Sequence, residues 1–250
     1  MQHKIADMVE LQNSLNIETN GEDWVYGVTD KGKLIRWWLC INMEVSELID
    51  SAPWKHWKGI NGEIDLANIK IEATDIWHFV MSAVIEYKLG NVEEAIELIE
   101  EGVMAYSDNY TSINLTLDNV KDSVGEDQQL NIMVDYLIDL ISNMYSNKKL
   151  DNDAEAITLV LNFMMNMHVI SRISQMMGEG LFELDQLYKL YIGKNVLNKF
   201  RQDNGYKEGS YVKIWNGLED NVIMTKMLDD NDDITFNQLY DMLTEYYSQL

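Results

Sequence analysis

One proline in 250 residues, and only 14 glycines, leave this chain almost nothing with which to break a helix. Proline removes a backbone donor and clashes with the preceding turn, and glycine costs about 1 kcal/mol in a helix interior. A chain so poor in both, yet rich in Leu, Ile and 15 methionines, reads as long helices rather than a many-stranded sheet. We therefore expect an all-α fold, a helical bundle of antiparallel helices. With 46% apolar residues and this length, it can bury a sizeable core.

The formal charge of −23 should repel nucleic acid polymers and anionic membranes. It leaves room for a small anionic ligand that metal ions or a local basic island neutralise. Cys40 is the only cysteine, so neither an internal disulfide nor a cysteine-built zinc site is expected. The opening stretch MQHKIADMVELQNSL reads as an amphipathic helix, not a signal peptide, and no segment reaches the length of a membrane span. The expectation is a cytoplasmic protein.

Periodicity places helices at about 3–16, 33–50, 66–89, 154–177 and 183–203, with a short one in the tail capped by Thr235. Pro53 ends the second, and NGEID marks a turn before the third. Residues 90–155 differ in texture, carrying 15 acidic residues against three lysines. They read as several shorter helices with polar joints, a helical insertion or cap at 90–154 on a core made of 1–89 and 155–250. The acidity itself reads as solvated surface, and the methionines at 164–167 as packing rather than a soft-metal site.

Two carboxylate pairs stand out. Glu44 and Glu47 are three apart on the second helix, and Glu72 and Asp75 repeat that spacing on the third. Residues so spaced share a helix face. Packed side by side, the two helices bring four carboxylates together, an arrangement that like charges disfavour unless a hard cation intervenes. Mg²⁺ takes oxygen ligands and keeps positions for water and substrate phosphates. Di-iron bundles use two Glu-x-x-His motifs; here only His78 follows Asp75 at three, so iron fits less well and His78 reads as a hydrogen-bonded core histidine.

Residues 189–215 reverse the acidic trend with a net charge of +4. Lys194, Asn198 and Arg201 share one helix face, and Lys207 and Lys213 follow in a glycine-containing loop. A carboxylate cluster and a cationic cluster in one acidic protein suggest a polyphosphate held between them. There is no P-loop.

The segments GKLIRWWLCINMEVSELIDSAPWKHWK, IKIEATDIWHFVMS and YIGKNVLNKFRQDNGYKEGSYVKIWNGLEDN resemble the dimeric, all-α dUTPase family, which belongs with the MazG-type all-α nucleotide pyrophosphatases and is unrelated to the trimeric β dUTPases. The paired-carboxylate signature is common to that superfamily; the Pro-Trp-Lys-x-Trp-Lys and Lys-Asn-x-x-Asn-x-x-Arg-Gln-x-x-Gly-Tyr runs belong to the dUTPase branch. Nothing between about 90 and 165 is carried over. The resemblance implies that Glu44, Glu47, Glu72 and Asp75 bind Mg²⁺, two or more ions per site; among the glutamates we expect Glu47 to be the general base. It implies phosphate binding by Lys194, Arg201, Lys207 and Lys213, sugar binding by Asn198 and Tyr206, and uracil binding by Gln12, Asn16 and Trp57. The implied activity is hydrolysis of dUTP, and also dUDP, to dUMP, limiting uracil misincorporation in DNA and supplying dUMP, in a homodimer. The alternatives are a pyrophosphatase for another nucleotide such as dCTP, or a non-catalytic helical protein that binds a partner.

Overall fold

The computed structural model describes residues 2–55, 57, 63–145, 148–231 and 234–250. Its helices are α1 (Gln2–Asn20), α2 (Trp37–Asp50), α3 (Leu66–Tyr87), α4 (Val92–Asp122), α5 (Gln129–Ser142), α6 (Asp153–Met176), α7 (Leu184–Asp203), α8 (Asp220–Asp229) and α9 (Phe236–Tyr247). Two strands of two residues, β1 (Ile214–Trp215) and β2 (Leu218–Glu219), form an antiparallel hairpin. Its turn, Asn216-Gly217, has φ of 49° and 86°, the paired left-handed geometry that favours Asn-Gly. The fold is all-α, as composition demands. Asn61 and Gly62 of the expected NGEID turn, and His56 and Lys58 of the Pro-Trp-Lys-x-Trp-Lys run, lie outside the described residues.

Helix α3 is the central post: 16 of its 22 residues are buried, so it is enclosed on nearly all sides, as a core helix is. The Asp65 side chain caps it, accepting from the Asn68 backbone N–H at 3.0 Å. Leu89 and Gly90, both at positive φ, end it. Helix α2 starts later than periodicity suggests. Residues 33–35 pair back on 27–29 instead, with Val28 bridged to Leu34 and the Ile35 N–H on the Gly27 carbonyl at 2.9 Å.

The region expected to be several short helices holds one of 31 residues, α4, followed by α5. Its apolar stripe, Ala95, Leu98, Ile99 and Val103, packs on α6. At Gly102 an added Cβ would lie 2.5 Å from Val160 Cβ, so the two helices touch through a side-chain-free point. The polar stretch that reads as joints stays helical because α6 ties it down: His168 bonds Tyr106 (2.8 Å) and Asn114 (2.9 Å), and Arg172 pairs with Asp118. Buried side chains of α4 and α5 belong to the same apolar cluster as those of α1–α3 and α6. Met164 and Met167 are buried there too, as expected of packing methionines.

Helix α6 is apolar and long enough to cross a membrane by composition, which sequence inspection did not anticipate; 67% of that stretch is buried inside the protein, the property of a core helix. Helix α7 joins two cores. Leu187 and Tyr191 enter the main one; Val196, Leu197 and Phe200 enter a second, built with Trp215, Ile223, Met224, Leu239 and Leu243 from the C-terminal segment. A capping box of Thr235 and Gln238 starts α9.

Candidate active site

Helices α2 and α3 pack along their lengths and bring Glu44, Glu72 and Asp75 together, one oxygen from each within 4.8 Å of the others. Glu47 is exposed and stands outside this group, yet close enough that its charge raises the pKa of both Glu44 and Glu72. Burial, then the charges of Asp75, Glu72 and Glu47, push Glu44 up to about 8. Burial and Asp75 push Glu72 up to about 7, against an opposing pull from Lys194. The two glutamates share a hydrogen bond, which requires that the pair hold a proton between them. A site whose acids resist ionisation is one that lacks a counter-charge. The oxygen-only donor set suits a hard divalent cation.

Lys194 is the nearest cation. Only 2% exposed, it reaches from α7 to Asp75 Oδ2 at 2.7 Å and to Asn221 Oδ1 at 2.9 Å. Arg201, one face-repeat further along α7, is held by Asp220, which sequence reasoning did not single out. Of the other cations expected at phosphate, Lys207 is exposed and donates to the Glu18 carbonyl at 3.3 Å. Lys213 lies 5.5 Å from the Tyr206 ring centroid.

Asp75 also lines a cleft of about 520 Å³ between α1, the 29–40 segment, α3 and α7. Gln12, Asn16 and Asn198, three of the residues expected to bind base and sugar, line it as well. Gln12 and Asn16 both donate to Ser82 Oγ at 3.0 Å, and Gln12 Nε2 donates to Asn16 Oδ1 at 3.1 Å. His78 Nδ1 meets Gln12 Oε1 at 2.6 Å, and Tyr191 stacks on its ring at 4.3 Å. Burial pushes the imidazole down to about 4, so it is neutral at physiological pH. With Nδ1 donating to Gln12, its buried Nε2 is an acceptor without a hydrogen-bond partner among the described residues. The histidine is thus in the core, as expected, but its wall is the cleft.

Trp57 is 63% exposed, edge-on to Trp54 at 5.5 Å, and is not among the residues lining the cleft. Tyr206 is exposed beneath Arg201 and Lys213. Phe79, Cys40 and Gln202 line the cleft without having been expected to. For Phe79 and Cys40 a signal existed, since they lie one turn from Asp75 and Glu44 on the same faces. Burial, then Glu44, push the Cys40 thiol up, which disfavours its thiolate.

Fold and site define a class: an all-α protein with a carboxylate cluster fit for a divalent cation at the end of an amide-lined cleft. A family model described as dUTPase matches residues 4–206, which is 203 of the 250. The chain belongs to this all-α dUTPase family, and its activity is that of a dUTP diphosphatase acting on a small-molecule nucleotide. No curated protein matches the chain.

Proposed function

We propose that the protein hydrolyses dUTP to dUMP and pyrophosphate with Mg²⁺ at the carboxylate cluster, and that it also accepts dUDP. The observation that carries this reading is the convergence of Glu44, Glu72 and Asp75 beside a cleft lined by Gln12, Asn16 and Asn198. Glu44, Glu72 and Asp75 would hold the cation, with Glu47 completing the set. When bound, Mg²⁺ neutralises phosphate charge and lowers the pKa of a water molecule.

The chain's own groups do the rest. Glu47, solvent-facing and outside the buried trio, takes the proton of the attacking water as general base. The water oxygen bonds to the β-phosphorus, its bond to the bridging oxygen breaks, and dUMP leaves with that oxygen. The same step on dUDP releases phosphate. Asn16 keeps one amide hydrogen and one carbonyl lone pair beyond its bonds to Gln12 and Ser82, which match the mixed edge of uracil; Gln12, bonded to Asn16, Ser82, His78 and Tyr191, exchanges one of these bonds for the base. Both are nearly fully buried, at 2% and 4% exposure, and their bonds to each other, Ser82 and His78 fix the edge they present, so a base with a mismatched edge is disfavoured. Asn198 takes the sugar hydroxyl, and Tyr206 and Trp57 close over sugar and base on binding. Lys194, Arg201, Lys207 and Lys213 serve the phosphates. The protein acts as a cytoplasmic homodimer.

Pyrophosphate release from dUTP, dTTP, dCTP and UTP, with Mg²⁺ and with EDTA, tests the reading. Preference for dUTP, lost without metal, is expected; a preference for dCTP would move the protein to the alternative pyrophosphatase class, and no hydrolysis at all would leave a binding protein. Lys194→Ala and Arg201→Ala should each weaken triphosphate turnover, and unchanged kinetics in both would remove the phosphate assignment.

The raised carboxyls make a second test. Folded, Glu44 and Glu72 titrate near 8 and 7, against an ordinary value of 4.5. Between these limits the folded state binds protons that the unfolded chain has released. These two groups therefore contribute metal-free stability that falls as pH rises from about 5 to about 8, with His78, pushed down from 6.5, working in the opposite direction in the lower part of that window. A cation needs both groups ionised, so its stabilisation grows across the same window. The rise in melting temperature on replacing EDTA with Mg²⁺ should be larger near pH 8 than near pH 5. An equal rise at both would mean that the ion binds elsewhere.

A further inference from the structure

The matched family segment ends at residue 206, yet the group that fixes the orientation of Arg201 lies beyond it. Asp220 Oδ2 accepts from Arg201 Nε at 2.8 Å and Asp220 Oδ1 from Arg201 Nη2 at 2.7 Å, a two-pronged pair. The same carboxylate accepts from the Tyr211 hydroxyl at 2.8 Å and from the Asn221 backbone N–H at 2.9 Å. Its acceptor sites are thereby filled, and it is 1% exposed. Burial pushes the carboxyl up, but the bonds from Arg201, Tyr211 and Asn221 outweigh it and hold Asp220 below its ordinary value. The pair is ionised.

Planarity of the guanidinium turns this into a direction. With Nε and Nη2 committed to Asp220, the remaining Nη1 edge lies against Asn198 Oδ1 at 3.3 Å, and Asn198 lines the cleft. Nη2 also approaches Asn221 Oδ1 at 3.4 Å, the oxygen that Lys194 Nζ bonds. Tyr211 is itself braced, stacked on Tyr247 at 5.3 Å within the second core. A buried arginine stripped of its counter-ion would turn toward water or toward the acidic cluster.

We infer that Asp220, steadied by Tyr211, is a positioning residue: it locks one edge of Arg201 inward so that the other is presented to the nucleotide phosphates. The C-terminal segment is then part of the active site's frame. This rests on the reading that Arg201 serves the phosphates.

The test compares binding of a non-hydrolysable α,β-imido dUTP with that of deoxyuridine, by calorimetry, in Arg201→Ala, Asp220→Asn and Tyr211→Phe. Each of Arg201→Ala and Asp220→Asn loses or misdirects a charge-assisted hydrogen bond to phosphate, so each should weaken the analogue about tenfold or more. Tyr211→Phe, which removes one of the four bonds to the Asp220 carboxylate and leaves the Arg201 pair in place, should weaken it about threefold. Deoxyuridine, which has no phosphate, should bind all three within about twofold. A merely structural pair would weaken both ligands together, and that result overturns the proposal. So does wild-type analogue binding by Asp220→Asn when Arg201→Ala has lost it. Wild-type analogue binding by Arg201→Ala would instead remove the phosphate reading beneath the proposal. If Asp220→Asn does not fold, Tyr211→Phe decides: selective loss of the analogue supports the proposal, and equal or absent loss overturns it. The exchange Arg201→Asp with Asp220→Arg restores the buried pair on the wrong helices. It should recover the melting temperature lost in Asp220→Asn but not the analogue affinity.

Discussion

Glu47→Gln folds as the parent does and hydrolyses dUTP at least about a hundredfold more slowly, the range expected when a positioned general base is lost. The side chain is exposed, so its neutral isostere leaves no cavity and no unpaired buried group. Its negative charge raises the pKa of both Glu44 and Glu72. Removing that charge eases the crowding and leaves melting of the metal-free protein unchanged or slightly raised. Loss of rate with the fold intact is the diagnostic combination, read by steady-state pyrophosphate release alongside a thermal melt. Near-normal turnover would transfer the base to another group. A large fall in melting temperature would show Glu47 to be a structural residue. Glu72→Gln offers the contrast: it alters one of the three converged carboxylates, so its defect should be largely relieved by raised Mg²⁺, whereas that of Glu47→Gln, which loses the base as well as a ligand, should be relieved only in small part.

Trp77→Ala should cost about 3–5 kcal/mol of stability, as truncating a fully buried aromatic does. For a chain of this size that lowers the melting temperature by about 10 °C. Trp77 has no exposed surface and stacks on Phe163 of α6 at 4.7 Å. Its indole N–H has no hydrogen-bond partner among the described residues, so the loss is one of packing alone. The site it faces joins α3 to α6, and α6 carries α4 and α5. Melting should therefore remain a single transition, displaced as a whole. A fall of less than about 2 °C would mean that α3 and α6 are not held together through this contact, and two separate transitions would make α4–α6 an independent unit.

Much of the bundle was legible because its causes are local. The carboxylate pairs were readable as pairs because a spacing of three on a helix puts both members on one strip. Thr235 was readable as a cap because its chemistry acts within one turn. The 31-residue α4 was not legible. Its polar stretch looks like a set of joints until His168 and Arg172 of α6 supply partners for Tyr106, Asn114 and Asp118. The start of α2 was misplaced for a related reason: residues 33–35 have helical periodicity, but backbone pairing with 27–29 takes their hydrogen bonds first.

The order of residues alone dictates that this chain is helical, that acids are paired on two successive helices and that cations share one face of a third. Each follows from a repeat of 3.6 residues and the near absence of breakers, which need no knowledge of neighbours. Which charge meets which depends on how the helices pack. Residues three apart on a helix differ by about 60° in direction, enough to turn Glu44 into the cluster while Glu47 looks to solvent. Lys194 found Asp75, and Arg201 found Asp220, because a buried ion takes whatever opposite charge the packed helices bring within reach.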